Sequence, residues 1–137
     1  MDETLFPKEI IEEVALENGL VMRLYDCSRR VAGDRWYVCL LAEIEIPVDE
    51  NILAREYRGP KGDVLEFIEK NGDSVLFQMK KERNFVDERE REGILNDMVD
   101  ALKGSCTGYM GHSSFGPNYV KKVFEEYLER RNWWKEE

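Results

Sequence analysis

The amino-acid sequence predicts an α+β fold, in which an antiparallel sheet built on a long hairpin plus a third strand has helices packed on one face. Apolar and polar residues alternate in residues 20–29 and again in 35–46, on either side of a short turn, which is typical of a hairpin. A third alternating stretch covers residues 74–86, and the last third of the chain spaces its apolar residues as helices do. Because 137 residues is the length of one domain, we expect residues 1–137 to fold as a single domain.

The first element is predicted to be a short helix. Pro7 suits a first helical turn, and Ile10, Ile11 and Val14 recur at helical spacing. The dipeptide Asn18-Gly19 is typical of a helix C-terminus, so we expect the helix to end there.

The hairpin has one register that satisfies charge, apolarity and loop length together. If residues 32–34 form a three-residue loop, Leu24 faces Ala42 on one side of the sheet and Arg23 faces Glu43 on the other. A shift by one residue would set Arg23 against an apolar side chain. The sequence therefore predicts antiparallel pairing of residues 20–29 with 35–46.

The segment after the hairpin is predicted to be irregular apart from a helical turn at residues 52–55, because it contains glycines and a second proline. Residues 64–70 fit two alternatives. Asp63 and Glu66 form a capping box that favours a helix ending at the following Asn-Gly dipeptide. An Asn-Gly turn between two strands is the alternative, and we favour the helix.

Residues 87–103 are predicted to form an amphipathic helix, which opens with a capping box and carries an apolar stripe. We expect the charges of its first turn to pair along the helix, as in Glu88 with Arg91. A glycine-rich loop is expected over residues 104–116, followed by a final helix from Pro117.

The composition argues against nucleic acid and membrane as partners. The chain has 20 Lys and Arg against 29 Asp and Glu, a net charge of −9, and such a chain repels a polyanion. No apolar stretch approaches the roughly 20 residues that span a membrane, and the acidic N-terminus lacks the pattern of a secretory signal. Three cysteines at irregular spacing make a poor disulfide framework. We therefore expect a cytoplasmic protein.

The hairpin tip holds the candidate ligand-binding residues. In the predicted register an arginine faces an aromatic residue on each side of the sheet, and a guanidinium stacked on a ring is a semi-rigid cation suited to a phosphate or carboxylate. Polar residues also interrupt the apolar face just below the tip. The candidates for contact with a small anionic ligand are Asp26, Ser28, Arg29, Arg30, Asp34 and Trp36. The alternative is that the sheet extends here beyond the helices that pack on it, and that the arginine side chains only cover the aromatic rings.

The stretch that begins at Asp26 resembles the D-x-S-x-x-G signature of PilZ domains, which bind cyclic di-GMP. The resemblance consists of Asp26 and Ser28. Val31 stands where the signature has glycine, and no R-x-x-x-R motif precedes it. We therefore assign no family.

A second candidate site lies in the predicted glycine-rich loop, where Cys106 is close in sequence to the only histidine, His112. A thiol beside an imidazole is the start of a nucleophile–base pair, so the alternative function is a small enzyme that uses these two residues. No cysteine-hydrolase signature accompanies them. An extended connector between two helices explains the loop more simply.

Metal ions and cofactors are not expected. Cys27 and Cys39 are adjacent in the predicted register, but zinc would also require Cys106 and His112 to converge on them, and the sequence has no C-x-x-C pattern. It also lacks a P-loop and a Gly-x-Gly-x-x-Gly motif. We therefore predict no metal site and no cofactor.

The C-terminal segment is a candidate interaction surface. Trp133 and Trp134 are adjacent and cannot share one helix face, and an exposed tryptophan is a frequent interface anchor. We predict a homodimer to which residues 127–134 contribute. The alternative is that both tryptophans pack on the body of the protein.

The sequence does not identify a biochemical activity. It favours a small cytosolic binding or interaction domain without catalysis, whose partner is a protein or a small anionic ligand.

Overall fold

The computed structural model describes residues 8–135, apart from the side chains of residues 106, 107, 134 and 135. In this range the chain forms five strands, which are β1 (Glu9–Ala15), β2 (Val21–Asp26), β3 (Arg29–Ala32), β4 (Arg35–Pro47) and β5 (Ser74–Asp87). It also forms four helices, which are α1 (Glu50–Glu56), α2 (Lys61–Asn71), α3 (Arg91–Met110) and α4 (Phe115–Lys135). The fold is α+β with an antiparallel sheet, as predicted. In the described range, no helix has both the length and the apolar character needed to cross a membrane.

β4 is the central strand of the sheet. β2 and β3 follow one another along one edge of β4, and β1 pairs with β2. The predicted hairpin register is confirmed, since Leu24 lies opposite Ala42 and Arg23 lies opposite Glu43. Opposed charges and paired apolar side chains therefore do fix the alignment of these strands.

The predicted N-terminal helix is wrong, because residues 9–15 form strand β1. β1 pairs antiparallel with β2, and the N–H of Leu16 closes the turn between them by donating to the carbonyl of Leu20 (2.8 Å). Gly19 has a φ of +90° in this turn, which glycine adopts without strain. In a segment of only seven residues, the positions of the β-branched side chains fit both the helical and the strand repeat. Pairing with β2 stabilises the strand.

β5 confirms the predicted third strand and pairs with the other edge of β4. The N–H of Val48 donates to the carbonyl of Asp73, and the N–H of Glu88 donates to the carbonyl of Asp34, both at 2.8 Å. The end of β4 therefore lies beside the start of β5, and the start of β4 lies beside the end of β5, so this pairing is antiparallel. Residues 80–85 of β5 are all exposed.

The two short helices agree with the sequence. α2 confirms the helix preferred for residues 64–70, and it ends at Asn71 where Gly72 has a φ of +100°. Its N-cap is Pro60 and no side chain caps it, so the predicted capping box does not form. α1 extends the predicted helical turn, and Asp49 caps it by accepting from two N–H groups of the first turn.

α3 continues past its predicted end at residues 103–104 and runs to Met110. The glycine-rich loop expected over residues 104–116 is therefore wrong, because most of it is helical. Gly104 and Gly108 do not adopt the positive φ that ends a helix, and burial of Leu102 and Met110 holds the helix on either side of them. α4 begins at Phe115, before the proline that was expected to open it.

The described residues divide into two compact units. Residues 8–44 and 78–111 form the first unit, and residues 45–77 and 112–135 form the second. The larger buried apolar residues of the first unit are Met22, Leu24, Val38, Leu40, Ile44, Leu102 and Met110. Those of the second unit are Leu53, Val64, Phe67, Val75, Phe115, Val120 and Phe124. The single domain expected from the chain length stays a prediction.

A polar network joins α2 to α4 within the second unit. Asp63 accepts hydrogen bonds from the Tyr57 hydroxyl (2.6 Å) and from the Arg131 guanidinium (2.8 Å). The hydroxyl of Tyr127 donates to the carboxylate of Glu66. Burial and this carboxylate raise the pKa of Tyr127 to about 12.

The raised pKa of Tyr127 makes stability depend on alkaline pH. Its value in the folded chain, about 12, lies above the ordinary value of 10.0, so its contribution is complete below pH 10 and is lost as pH rises toward 12. We expect the free energy of unfolding to fall more steeply over this range in the wild type than in Tyr127→Phe. Urea unfolding at several alkaline pH values measures this difference, with Tyr119→Phe as the control, and parallel pH profiles for wild type and Tyr127→Phe would contradict it.

Candidate functional site

The hairpin tip pairs two arginines with two aromatic residues. Arg29 lies opposite Tyr37 and Arg30 lies opposite Trp36, as predicted. Neighbouring strand residues point to opposite faces, so the Arg30–Trp36 pair shares the face of Leu24 and the Arg29–Tyr37 pair lies on the other.

The turn at the tip is shorter than expected. Ala32 pairs with Arg35, and the register shifts between Arg30 and Ala32, so the expected three-residue loop becomes a two-residue turn with a bulge. Gly33 has a φ of +58° in this turn, as two-residue hairpin turns require. The bulge leaves Val31 with 49% of its surface exposed.

Trp36 is at the centre of a cluster that joins the hairpin to the start of α3. The guanidinium carbon of Arg91 lies 3.9 Å from the centroid of the Trp36 ring, and that of Arg30 lies 5.7 Å from it. One carboxylate oxygen of Glu88 accepts from Arg30 (2.9 Å) and from the indole N–H (3.3 Å). We call Arg30, Trp36, Glu88 and Arg91 the Trp36 cluster. It fixes two guanidiniums against one indole ring, an arrangement that cation–π attraction favours.

The pairing expected between Glu88 and Arg91 along the helix is wrong. α3 begins at Arg91, so Glu88 precedes the helix and the two side chains are not helical neighbours. Glu88 instead contacts Arg30, and Arg91 contacts Trp36. Among the described residues, no carboxylate lies within ion-pair distance of the Arg91 guanidinium.

Arg29 and Tyr37 occupy the other face of the tip. The Arg29 guanidinium carbon lies 4.9 Å from the centroid of the Tyr37 ring. Burial, together with hydrogen bonds to Cys39 and Glu82, raises the pKa of Tyr37. Its hydroxyl therefore stays protonated at neutral pH.

Asp34 connects the turn to the residues before α3, mainly through its backbone. Its carbonyl accepts from the N–H of Glu88. The next residue, Arg35, has its guanidinium 3.5 Å from the carboxylate of Asp87 and 3.9 Å from that of Asp34. The N–H and guanidinium of Arg89 hold the pKa of Asp87 below its usual range.

Asp26 and Ser28 bond to the backbone at the junction of β2 and β3. The carboxylate of Asp26 accepts from the N–H of Ser28 (2.9 Å). The hydroxyl oxygen of Ser28 accepts from the N–H of buried Cys39 (3.0 Å). These bonds satisfy backbone donors where the strand is interrupted, which gives both residues a structural role on the apolar side of the sheet.

Cys27 and Cys39 are cross-strand neighbours, as the register predicts. The N–H of Cys27 donates to the carbonyl of Cys39 (2.9 Å), and no disulfide joins the two thiols. Burial and the adjacent Cys39 raise the pKa of Cys27. In the part of the chain that the structure describes, no three His, Cys, Asp or Glu side chains come together as a metal site would need.

The second predicted site falls partly outside the described residues. Cys106 belongs to α3, but its side chain lies outside that description. Nδ1 of His112 accepts from the N–H of Ser114 (3.1 Å) and lies 2.9 Å from the Ser114 hydroxyl, so this nitrogen caps the turn before α4. A nucleophile–base pair of Cys106 and His112 stays a prediction.

Of the two adjacent C-terminal tryptophans, only Trp133 has a described side chain. Trp133 has 58% of its surface exposed near the end of α4. The side chain of Trp134 lies outside the described residues. The homodimer stays a prediction.

The end of the sheet that carries the tip is basic in an acidic chain. Residues 29–36 and 80–91 contain eight of the 20 Lys and Arg but only five of the 29 Asp and Glu. Among the described arginines of this region, the side chain of Arg30 is 60% exposed and that of Arg89 is 90% exposed. An anionic partner would meet a locally favourable potential in this region.

Sequence reasoning missed Glu88 and Arg91 as parts of the tip. Both follow β5, and only the pairing of β5 with β4 brings them beside Trp36. The N–H of Glu88 that bonds to Asp34 marks the point of contact. The only signal for them would have been a register for β5 against β4, and the alternation in residues 74–86 does not set one.

Comparison of the chain with protein-family models, with curated proteins and with solved structures gives no match.

The Ser28 hydroxyl makes a testable contribution to stability. Ser28→Ala leaves the buried N–H of Cys39 without its acceptor, which we expect to lower the free energy of unfolding by about 1–3 kcal/mol. Urea unfolding measures this loss. The control, Ser113→Ala at an exposed position, should change stability by less than about 0.5 kcal/mol. Equal stability of Ser28→Ala and wild type would contradict the assigned role.

Proposed function

We propose that this protein is a non-catalytic binding module whose hairpin tip holds a phosphate or carboxylate group of a partner. The observation that carries the proposal is the Trp36 cluster, in which Arg30 and Arg91 lie against one indole ring. A guanidinium that is already oriented loses little conformational entropy when it binds an anion. The basic character of this end of the sheet supports the same conclusion.

The roles of the two arginines differ. Arg91 has Trp36 as its described contact, so its charge remains available for an anion. Arg30 is held by Glu88, and an incoming anion competes with that carboxylate. Glu88 therefore acts as an internal competitor that lowers affinity and keeps Arg30 oriented between binding events.

One further feature supports a binding module over the alternative enzyme, which would use Cys106 and His112. The predicted glycine-rich loop around Cys106 is largely helical. We also propose that the protein acts in the cytosol, which is consistent with unpaired Cys27 and Cys39.

Titration with inorganic tripolyphosphate at low ionic strength tests this proposal. We expect the ¹H–¹⁵N signal of the Trp36 indole N–H to shift on binding. The double variant Arg30→Ala/Arg91→Ala should weaken binding about tenfold or more, because two oriented cations are lost. Glu88→Gln should tighten binding by about three- to tenfold, because it releases Arg30 from an ion pair.

Arg130→Ala is the matched control, since Arg130 is an exposed arginine of α4 in the second unit. It should leave the affinity for tripolyphosphate unchanged apart from a small effect of net charge. Equal affinities of wild type and the Arg30→Ala/Arg91→Ala variant would contradict the proposal.

A further inference from the structure

Two free thiols face each other across the hairpin, just below its tip. Cys27 follows the end of β2, and Cys39 lies within β4. The N–H of Cys27 donates to the carbonyl of Cys39 (2.9 Å), one step beyond the last pair of β2 with β4, in the same register. Directly opposed residues of an antiparallel pair point their side chains to the same face of the sheet. The two thiols are therefore neighbours on one face.

The separation of the two residues is close to what a disulfide needs. Opposed Cα atoms at a hydrogen-bonded position lie about 5.5 Å apart, within the range of roughly 4.4–6.8 Å found across disulfides. Opposed Cβ atoms lie about 5 Å apart, and a disulfide needs about 4 Å. Cys27 and Ser28 lie between β2 and β3 and belong to neither strand. A small backbone adjustment at this interruption can bring the two sulfur atoms into bonding distance.

The electrostatics of Cys27 support the same proximity. Burial raises the pKa of its thiol most, and a negative charge on Cys39 raises it further, an effect that grows as two charges approach. Asp26 also raises the pKa of Cys27, whereas Lys8 and Lys80 lower it. The net result keeps Cys27 mostly protonated at neutral pH, so it reacts slowly with an oxidant.

Burial gives the two thiols different access to solvent. Cys27 is partly exposed, so a small oxidant in solution can reach its sulfur. Cys39 is fully buried, so its sulfur meets the sulfur of Cys27 rather than a molecule in solution. An accessible cysteine beside a second, resolving cysteine is the arrangement that converts an oxidised thiol to a disulfide.

The geometry points to a reversible redox pair, in which hydrogen peroxide converts Cys27 and Cys39 to a disulfide that closes the hairpin tip into a ring. The ring encloses residues 28–38, which include Arg29, Arg30 and Trp36. Closure at the base of the tip limits local opening of its two strands. Transient, redox-sensing disulfides are the kind found in cytosolic proteins. The bond forms with or without a ligand, so this proposal is independent of anion binding at the tip.

The reaction has two steps. The thiolate of Cys27 attacks one oxygen of hydrogen peroxide, the O–O bond breaks, and the leaving hydroxide takes a proton to become water. The thiolate of Cys39 then attacks the sulfur of the sulfenic acid, the S–S bond forms, and the S–O bond breaks to release a second water. Two thiols are oxidised, one peroxide is reduced, and the two thiol protons end in the two water molecules. A dithiol reverses the reaction by thiol–disulfide exchange.

The test treats the full chain with hydrogen peroxide at neutral pH, alkylates the remaining thiols with iodoacetamide, and maps the unreduced peptides by mass spectrometry. We expect a pair of peptides joined through Cys27 and Cys39. Dithiothreitol should restore both thiols. Cys106→Ala is the matched control, because it removes the third cysteine and should leave the disulfide unchanged.

Single variants separate the roles of the two cysteines. In Cys27→Ala, the buried Cys39 should be oxidised at least about tenfold more slowly than in the wild type, because peroxide does not reach it. In Cys39→Ala, the sulfenic acid of Cys27 has no resolving thiol, so dimedone should label it at least about threefold more than in the wild type. Circular dichroism checks that both variants fold, and the partly exposed Cys27→Ala carries the test alone if Cys39→Ala does not.

Amide hydrogen exchange reports the closure of the tip. Exchange in residues 29–36 should slow at least about threefold in the oxidised chain, and exchange in α4 should stay the same. Cys27→Ala treated with the same peroxide controls for oxidation of methionines, and it should show no slowing.

Four results would overturn the proposal. The first is full alkylation of Cys27 and Cys39 after peroxide treatment, which would mean that no disulfide forms. The second is a disulfide that includes Cys106. The third is a Cys27–Cys39 disulfide that forms only in urea, since the native fold would then hold the thiols apart. The fourth is unchanged exchange in residues 29–36 of the oxidised chain, because the bond would then not close the tip.

Discussion

Burial of both faces of β4 is the constraint on which the first unit depends. Every residue from Val38 to Ile44 is buried, so the strand needs cover above and below and partners on both edges. One face contributes Val38, Leu40 and Ile44 to the apolar core. The other face includes a charge, and the carboxylate of Glu43 is satisfied by Gln78 (2.7 Å) and Lys8 (3.4 Å). A buried carboxylate without such partners would be strongly destabilising.

The position of the Trp36 cluster is set by this strand. β4 leaves the core at its tip end, where Trp36 is partly exposed, and its pairing with β5 brings Glu88 beside that indole. α3 starts at Arg91 immediately afterwards, and its guanidinium reaches the same ring. The Trp36 cluster is thus a consequence of a helix that begins shortly after β5. A binding module built in this way can vary its tip without disturbing the core of β4.

Local patterns in the sequence were enough to predict some strands and helices and not others. The hairpin register could be predicted because Arg23 and Glu43 oppose each other and only one alignment also pairs Leu24 with Ala42. β1 could not, because its seven residues, three of them β-branched and three acidic, fit both a helix and a strand, and only contact with β2 distinguishes the two. The end of α3 was missed for a similar reason. Gly104 is a helix-end signal locally, and the buried Met110 overrides it.

Some contacts of the candidate site could likewise be predicted from the sequence, and others could not. Arg29 and Arg30 were found with their aromatic partners, because the hairpin that holds them is local in sequence. In contrast, the Ser28 hydroxyl accepts from the backbone N–H of Cys39, and Glu88, which contacts Arg30, comes from the turn after β5. Composition and spacing carry no signal for either contact, since both depend on where β4 places its neighbours.

Native-state hydrogen exchange of the β4 amides tests the central role of this strand most directly. We expect the amides of residues 40–44 to be the slowest of the first unit and to exchange only when that unit unfolds. The core substitution Leu24→Ala should then lower their exchange free energy by the same amount as the unfolding free energy of the unit, about 2–5 kcal/mol. Faster exchange in residues 40–44 than in β1, or exchange free energies there that do not respond to Leu24→Ala, would contradict it.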